Sequence, residues 1–131
     1  MPISNIPIFS MLRTRMQWHQ ERQRLLAENV ANADTPKFQP RDLSPLKLDP
    51  ARPAAPALTL LRTSPAHLAS ASDGAGFQLD RRGKFEARPS GNAVSLEDEM
   101  MKVASNQMDY QAVAGLYTRG LDLIKVALGK K

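Results

Sequence analysis

Stepping alternately four and three residues from Leu96, the C-terminal third reads Leu96, Met100, Val103, Gln107, Tyr110, Ala114, Tyr117, Leu121, Ile124 and Leu128, nine of the ten apolar. Sustained over more than four heptads, that is the pattern of a coiled-coil seam. Ser95 is placed to cap the helix, and Glu97, Asp98 and Glu99 fill its first turn, where carboxylates suit the positive end of the helix dipole. Gly129 followed by Lys130 and Lys131 closes it with the opposite chemistry. A helix over 95–129 is therefore predicted. The N-terminal third repeats the spacing at Phe9, Leu12, Met16, His19, Gln23, Leu26, Val30 and Ala33, six of the eight apolar. This predicts a second helix over 8–33 that stops before Thr35-Pro36, since the residue before a proline is biased away from helical geometry. His19 and Gln23 are read as solvated or hydrogen-bonded interruptions of the seam, not as catalytic groups.

The prolines draw the same boundaries. None lies between Ile8 and Ala33 or between Leu96 and Leu128, whereas eight lie between Asp34 and Ser95. Proline removes a donor and clashes inside a helix, so only the outer thirds can be long helices. Pro36, Pro40, Pro45, Pro50, Pro53 and Pro56 read as an extended, partly polyproline-like arm. Leu58–Thr63 fits a short strand, and 74–79 with 84–87 fits a weak hairpin around Arg81-Arg82-Gly83. The expected fold is mainly α and a single domain over 1–131. Its long N- and C-terminal helices pair as a coiled coil around an irregular, Pro-rich outer segment over 34–94.

The C-terminal helix is apolar beyond its seam, at Met101, Ala104, Met108, Val113, Leu116, Leu123 and Val126. A helix apolar on several sides needs several neighbours, and this chain offers one partner helix. The remaining neighbours are expected from other chains, with subunits packing helix to helix. Gly115 and Gly120 each cost about 1 kcal/mol against Ala in a helix. Either close backbone packing or tolerance of a weaker helix accounts for them.

Composition narrows the chemistry. Among 131 residues there is no Cys and there are two His, far apart, which removes disulfides, thiolate zinc sites and cysteine nucleophiles and disfavours a histidine metal site. No cofactor is expected. No apolar run approaches the roughly 20 residues of a membrane span. The opening MPISNIPIFSMLRTR lacks a basic region followed by an apolar one, so no cleaved secretory signal is expected. The net charge of +5 is spread as +2 over 8–33, +3 over 34–95 and zero over 96–131. Arg81-Arg82-Gly83-Lys84 is the only cluster, and no basic stripe with interleaved aromatics accompanies it, so nucleic acid is not the expected partner. His67 near Ser64, Ser70 and Asp73 invites a triad reading. Without a Gly-x-Ser-x-Gly elbow or a Gly-rich phosphate loop, however, an enzyme is not expected. A soluble coiled-coil adaptor and a weak nucleic-acid-binding module remain the alternatives from other classes.

The run Asn29-Val30-Ala31-Asn32-Ala33-Asp34-Thr35-Pro36 resembles the N-terminal signature of flagellar rod and hook proteins. Within it, Asn29, Ala31, Asn32, Asp34, Thr35 and Pro36 carry the likeness. Arg22–Glu28 before it and Arg41-Asp42-Leu43 after it are similar to the proximal-rod subfamily, as is LLRTSPAHL at 60–68. Residues 95–129 resemble that subfamily's C-terminal helix, notably at Glu99-Met100, Asn106-Gln107 and Tyr110-Gln111. Where the family has Gly then Tyr after Thr-Pro, this chain has Lys37-Phe38. Gly supplies a positive φ or a close approach, so the turn after the first helix is where this chain departs.

The resemblance implies a structural subunit of the basal-body rod, exported uncleaved by the flagellar type III apparatus and assembled in the periplasm. It implies as partners other rod subunits, the adaptor between rod and MS ring, the export apparatus and further copies of the chain. The subunit-packing seam is then expected at Phe9, Leu12, Met16, Leu26, Val30, Leu96, Met100, Val103, Tyr110, Ala114, Tyr117, Leu121, Ile124 and Leu128. Another rod subunit of the same family is the nearest alternative.

Overall fold

The computed structural model describes residues 6–47, 77–80 and 89–129. Two helices, α1 (Pro7–Ala31) and α2 (Leu96–Ala127), enclose two short strands, β1 (Asp42–Leu43) and β2 (Leu79–Asp80). Both helices lie within two residues of their predicted bounds. Pro7 opens α1, where a missing N–H costs nothing. Ser95 holds the N-cap position of α2 without a side-chain cap bond, and Glu97, Asp98 and Glu99 occupy the first turn. Gly129 follows the end of α2 at φ 70, the left-handed geometry that lets a chain leave a helix.

The helices run antiparallel. Phe9 near the start of α1 meets Tyr117 edge-on at 5.6 Å, His19 meets Asn106, and Asn29 at the far end meets Glu99. On α2 the residues withdrawn from solvent include Glu99, Val103, Asn106, Tyr110, Val113, Tyr117, Gly120 and Ile124. The four-three spacing is kept, but two positions differ from the apolar reading. Glu99 and Asn106 are buried where Met100 and Gln107 were expected, while Val113 and Gly120 share the contact with the half-buried Ala114 and Leu121. The reason is that Glu99, Asn106 and Gly120 each have a specific counterpart on α1, a complementarity invisible to hydrophobic spacing.

Gly120 shows this most simply: a Cβ there would lie 3.0 Å from Cε1 and 3.1 Å from Cζ of Phe9, so the ring sits in the notch. A Cβ at Gly115 would meet no packing neighbour within 4 Å among the described residues. Of the two explanations for these glycines, close packing therefore holds at Gly120 and not at Gly115. Gly115→Ala should stabilise the isolated chain by about 1 kcal/mol. Gly120→Ala should gain less or lose, because the Phe9 ring must move. Thermal unfolding of the two variants side by side measures the difference.

A second cluster lies on the other side of α1. Trp18 and Leu25 pack with Leu43 of β1, flanked by Leu46, Phe77 and Leu79. The strands pair antiparallel, Asp42 with Asp80 and Leu43 with Leu79, and Ser44 N–H donates to the Gln78 carbonyl at 2.8 Å. Leu79 thus pairs with Leu43, a partner that local sequence did not point to. Lys84–Ala87, expected opposite it, lies outside the described residues. So do the Pro50–Pro56 part of the arm, the strand expected at Leu58–Thr63, the segment 60–68 and the Arg81–Lys84 cluster.

Candidate assembly interface

The turn after α1 is built by the polar residues of the signature run. Asn32 caps the helix, its Nδ2 donating to the Glu28 carbonyl at 2.8 Å while its Oδ1 accepts from Thr35 Oγ1 at 3.0 Å. Asn92, buried just before α2, donates from Nδ2 to the carbonyls of Asn32 (3.0 Å) and Thr35 (2.6 Å). Its Oδ1 accepts from Val94 N–H at 2.9 Å. The chain leaving α1 is thereby tied to the chain entering α2. Ala31, Asp34 and Pro36 are exposed.

Lys37 takes φ 60, so this chain keeps the left-handed turn with a residue that disfavours it. Its side chain lies over Gly91, where a Cβ would come within 3.1 Å of Lys37 Cγ. Lys37→Gly should raise stability by about 0.5–1 kcal/mol by relieving the left-handed penalty. Urea unfolding of the purified chain checks it.

Between the helices the polar contacts form rungs. Asn29, fully buried, donates from Nδ2 to Glu99 Oε2 at 2.8 Å and to the Arg41 carbonyl at 2.7 Å, and accepts from Arg41 N–H at 2.9 Å. Glu99, 2% exposed, is also paired with Lys102 Nζ at 2.8 Å. One rung further, Asn106 Nδ2 donates to the His19 carbonyl and to Gln23 Oε1, both at 2.9 Å. That leaves Asn106 Oδ1 as the acceptor 2.7 Å from His19 Nδ1, so Nδ1 carries the proton. His19 Nε2 is buried without a hydrogen-bond partner among the described residues. His19 and Gln23 are thus hydrogen-bonded members of the helix contact. Burying polar groups with their partners in place costs little, whereas stranding one costs about 1–3 kcal/mol.

Outside the helix pair, Arg22 binds Asp42 through two bonds at 2.8 and 2.9 Å and stacks 5.4 Å over Trp18. The hydrogen bond to Asp42 raises the Arg22 pKa against the opposing effect of burial. Trp18 Nε1 donates to the Ser44 carbonyl at 3.1 Å. Glu28 joins Arg41, and Glu21 joins Arg24, in exposed ion pairs. β1 is held to α1 by these contacts together with the Trp18 cluster.

The opposite face of α2 is apolar and open. Met101, Met108, Leu116, Leu123 and Val126 are 72, 65, 58, 66 and 73% exposed. At 100° per residue they fall within an arc of roughly 80°, and their Cα atoms span about 37 Å along the helix. Exposed Ser105, Ala112 and Arg119 fall in the same arc, so the stripe is mostly apolar with one charge in it, and exposed apolar surface of this extent is characteristic of surfaces that contact another macromolecule. Of the expected seam, Phe9 and Leu26 are buried. Leu12, Met16, Val30, Val103, Tyr110, Ala114, Tyr117, Leu121 and Ile124 are half-buried, and Leu96, Met100 and Leu128 are exposed. The apolar pattern did not select Glu99, Asn106 or Asn92. Glu99 and Asn106 do lie in segments that carry the resemblance, exactly one heptad apart, a polar repeat that could have flagged them. Among the described residues no group of three or more His, Cys, Asp or Glu could hold a metal ion, and no helix is long and apolar enough to cross a membrane.

A helical hairpin that directs its polar groups inward against specific partners and leaves an apolar ridge outward is built for helix packing, the organisation of a structural subunit. No family profile matches the chain. It is 30% identical over 114 residues to the flagellar basal body rod protein FlgB of Agrobacterium fabrum, covering 85% of this chain and 84% of that one. It is 37% identical over 98 residues to the protein of that name from Yersinia enterocolitica, covering 70% and 71%. With that from Escherichia coli K12 the identity is 36% over 97 residues, covering 70% of each. The chain belongs to the flagellar basal body rod protein FlgB family, whose members are structural proteins and not enzymes.

Proposed function

We propose that this chain is a proximal subunit of the flagellar rod, exported by the flagellar type III apparatus and built into the rod through its terminal helices to transmit torque. The observation that carries this reading is the open apolar ridge of α2 on a chain of the FlgB family. Among the described residues nothing covers that ridge, and the helices of neighbouring subunits in a rod would cover it. The expected seam residues then divide their work. Phe9, Leu26 and their half-buried neighbours join α1 to α2 as a coiled-coil-like pair. Leu96, Met100 and Leu128 extend the surface offered to neighbours. The partners are other rod subunits, the rod-to-MS-ring adaptor and further copies of this chain, and the site of action is the periplasmic rod.

Folding coupled to docking fits this plan, because a ridge left open by the described residues gains its cover when a neighbour arrives. Deleting the coding sequence should leave cells without flagella and unable to swim, with both restored by the intact chain. Normal filaments on the deleted cells would contradict the reading.

A further inference from the structure

The polar rungs do more than satisfy one another. On α2, Glu99, Asn106 and Gly120 occupy one heptad position, and each meets a different chemistry on α1: the Asn29 amide, the His19–Gln23 pair and the Phe9 ring. Only one antiparallel register serves all three. Sliding the helices one heptad in one direction puts Asn106 in the place of Glu99 opposite Asn29, leaves His19 and Gln23 facing Val113, and moves Glu99 past the end of α1. Sliding the other way puts Glu99 in the place of Asn106 opposite His19 and Gln23, but sets Asn106 against Leu12, Phe9 against Val113, and Asn29 beyond the start of α2. Pairing two α2 helices through this face would bury Glu99 and Asn106 with none of their counterparts. Each mismatch strands a buried polar group, and a single buried polar position is enough to fix register and partner choice in helix pairs.

We infer that Glu99, Asn106, His19 and Asn29 are positioning residues that select the pairing. They hold α1 and α2 in one register and keep the inner face of α2 out of contacts between copies, leaving the outer ridge to the neighbours. The register half of this stands on the single chain; the division between inner and outer faces rests on the assembly reading above.

The test uses the purified full-length chain. Because the sequence has no cysteine, Gln17→Cys with Gln111→Cys places one spin label on the exposed side of each helix. Leu116→Asp with Leu123→Asp is added to silence the ridge. This chain should give one narrow label-to-label distance and sediment as a monomer. Adding His19→Leu with Asn106→Leu should keep the helicity, since a buried polar pair is often replaceable by apolar residues without loss of stability. The distance should broaden or split, by up to about 10 Å for a one-heptad slip, and dimers should appear. Glu99→Gln, which keeps an acceptor for Asn29, should retain the single distance.

An unchanged narrow distance in the His19→Leu/Asn106→Leu chain would overturn the proposal. Loss of helicity would overturn it too, because the rungs would then supply stability and not selection. Broadening without dimers would uphold the register half and overturn the half concerning contacts between copies. Failure of the assembly reading shows separately, as normal rod incorporation of the ridge variant, and leaves the distance result untouched.

Discussion

A chain carrying Leu116→Asp and Leu123→Asp is expected to fold normally and to stay out of the rod. Both side chains are more than half exposed on the outer face of α2, one heptad apart, and neither belongs to the contact with α1. Their replacement leaves the Phe9–Tyr117 contact and the polar rungs intact, so circular dichroism and thermal unfolding should change little. In the proposed assembly a neighbouring subunit would cover the same positions. Each Leu withdrawn from water contributes roughly 1.5–3 kcal/mol. Losing both weakens a subunit contact by about 3–6 kcal/mol, before the further cost of burying two carboxylates. At 1.4 kcal/mol per factor of ten, that is on the order of a hundred- to ten-thousand-fold in affinity. The expected phenotype is a full-length, expressed chain missing from purified basal bodies, in cells that cannot swim. Normal swimming by the double variant would remove the ridge from the account.

The second large effect is on stability. Asn29→Ala deletes three hydrogen bonds at once, to Glu99, to the Arg41 carbonyl and from the Arg41 N–H. Glu99 Oε2 is then buried without its donor, and the carboxylate keeps only Lys102. With about 1–3 kcal/mol for each buried group left unpaired, and more for a charged one, the loss is roughly 3–4 kcal/mol. That is a large part of the 5–15 kcal/mol of an ordinary domain. Asn29→Asp should lose at least as much at neutral pH, although it keeps the side-chain shape. It removes the donor and places a second carboxylate against Glu99. Urea unfolding of both variants reads the effect, and changes under about 0.5 kcal/mol in both would show that this rung holds nothing together.

The helices were legible because their signals are local. Proline exclusion, acidic residues after Ser95 and Gly129 bounded α2, and four-three spacing announced a helix contact. Which residues face α1 was less legible. Hydrophobic spacing chose Met100 and Gln107 over Glu99 and Asn106, because it scores each residue alone. The buried choice depends on Asn29, His19 and Gln23, roughly 70 to 90 positions away. The pairing of Leu43 with Leu79 was hidden for the same reason, since two-residue strands carry no periodicity of their own. Lys37 was visible as a departure from the family's Gly. Its left-handed φ is enforced by the folded turn and by backbone bonds to Ser90 and Ala93 in the segment before α2, which local propensity does not report. The outer ridge was foreseen as apolar surplus on α2, but its concentration at Met101, Met108, Leu116, Leu123 and Val126 required knowing where α1 sits.

Whether this chain is a building block of the rod is read out by mass spectrometry of hook–basal bodies purified from the source cell. Peptides of this chain should be present, including the N-terminal peptide in uncleaved form, and should disappear when Leu116 and Leu123 are replaced by Asp. Absence of the chain from intact basal bodies, with the protein recovered from the cytoplasm of flagellated cells, would contradict that role.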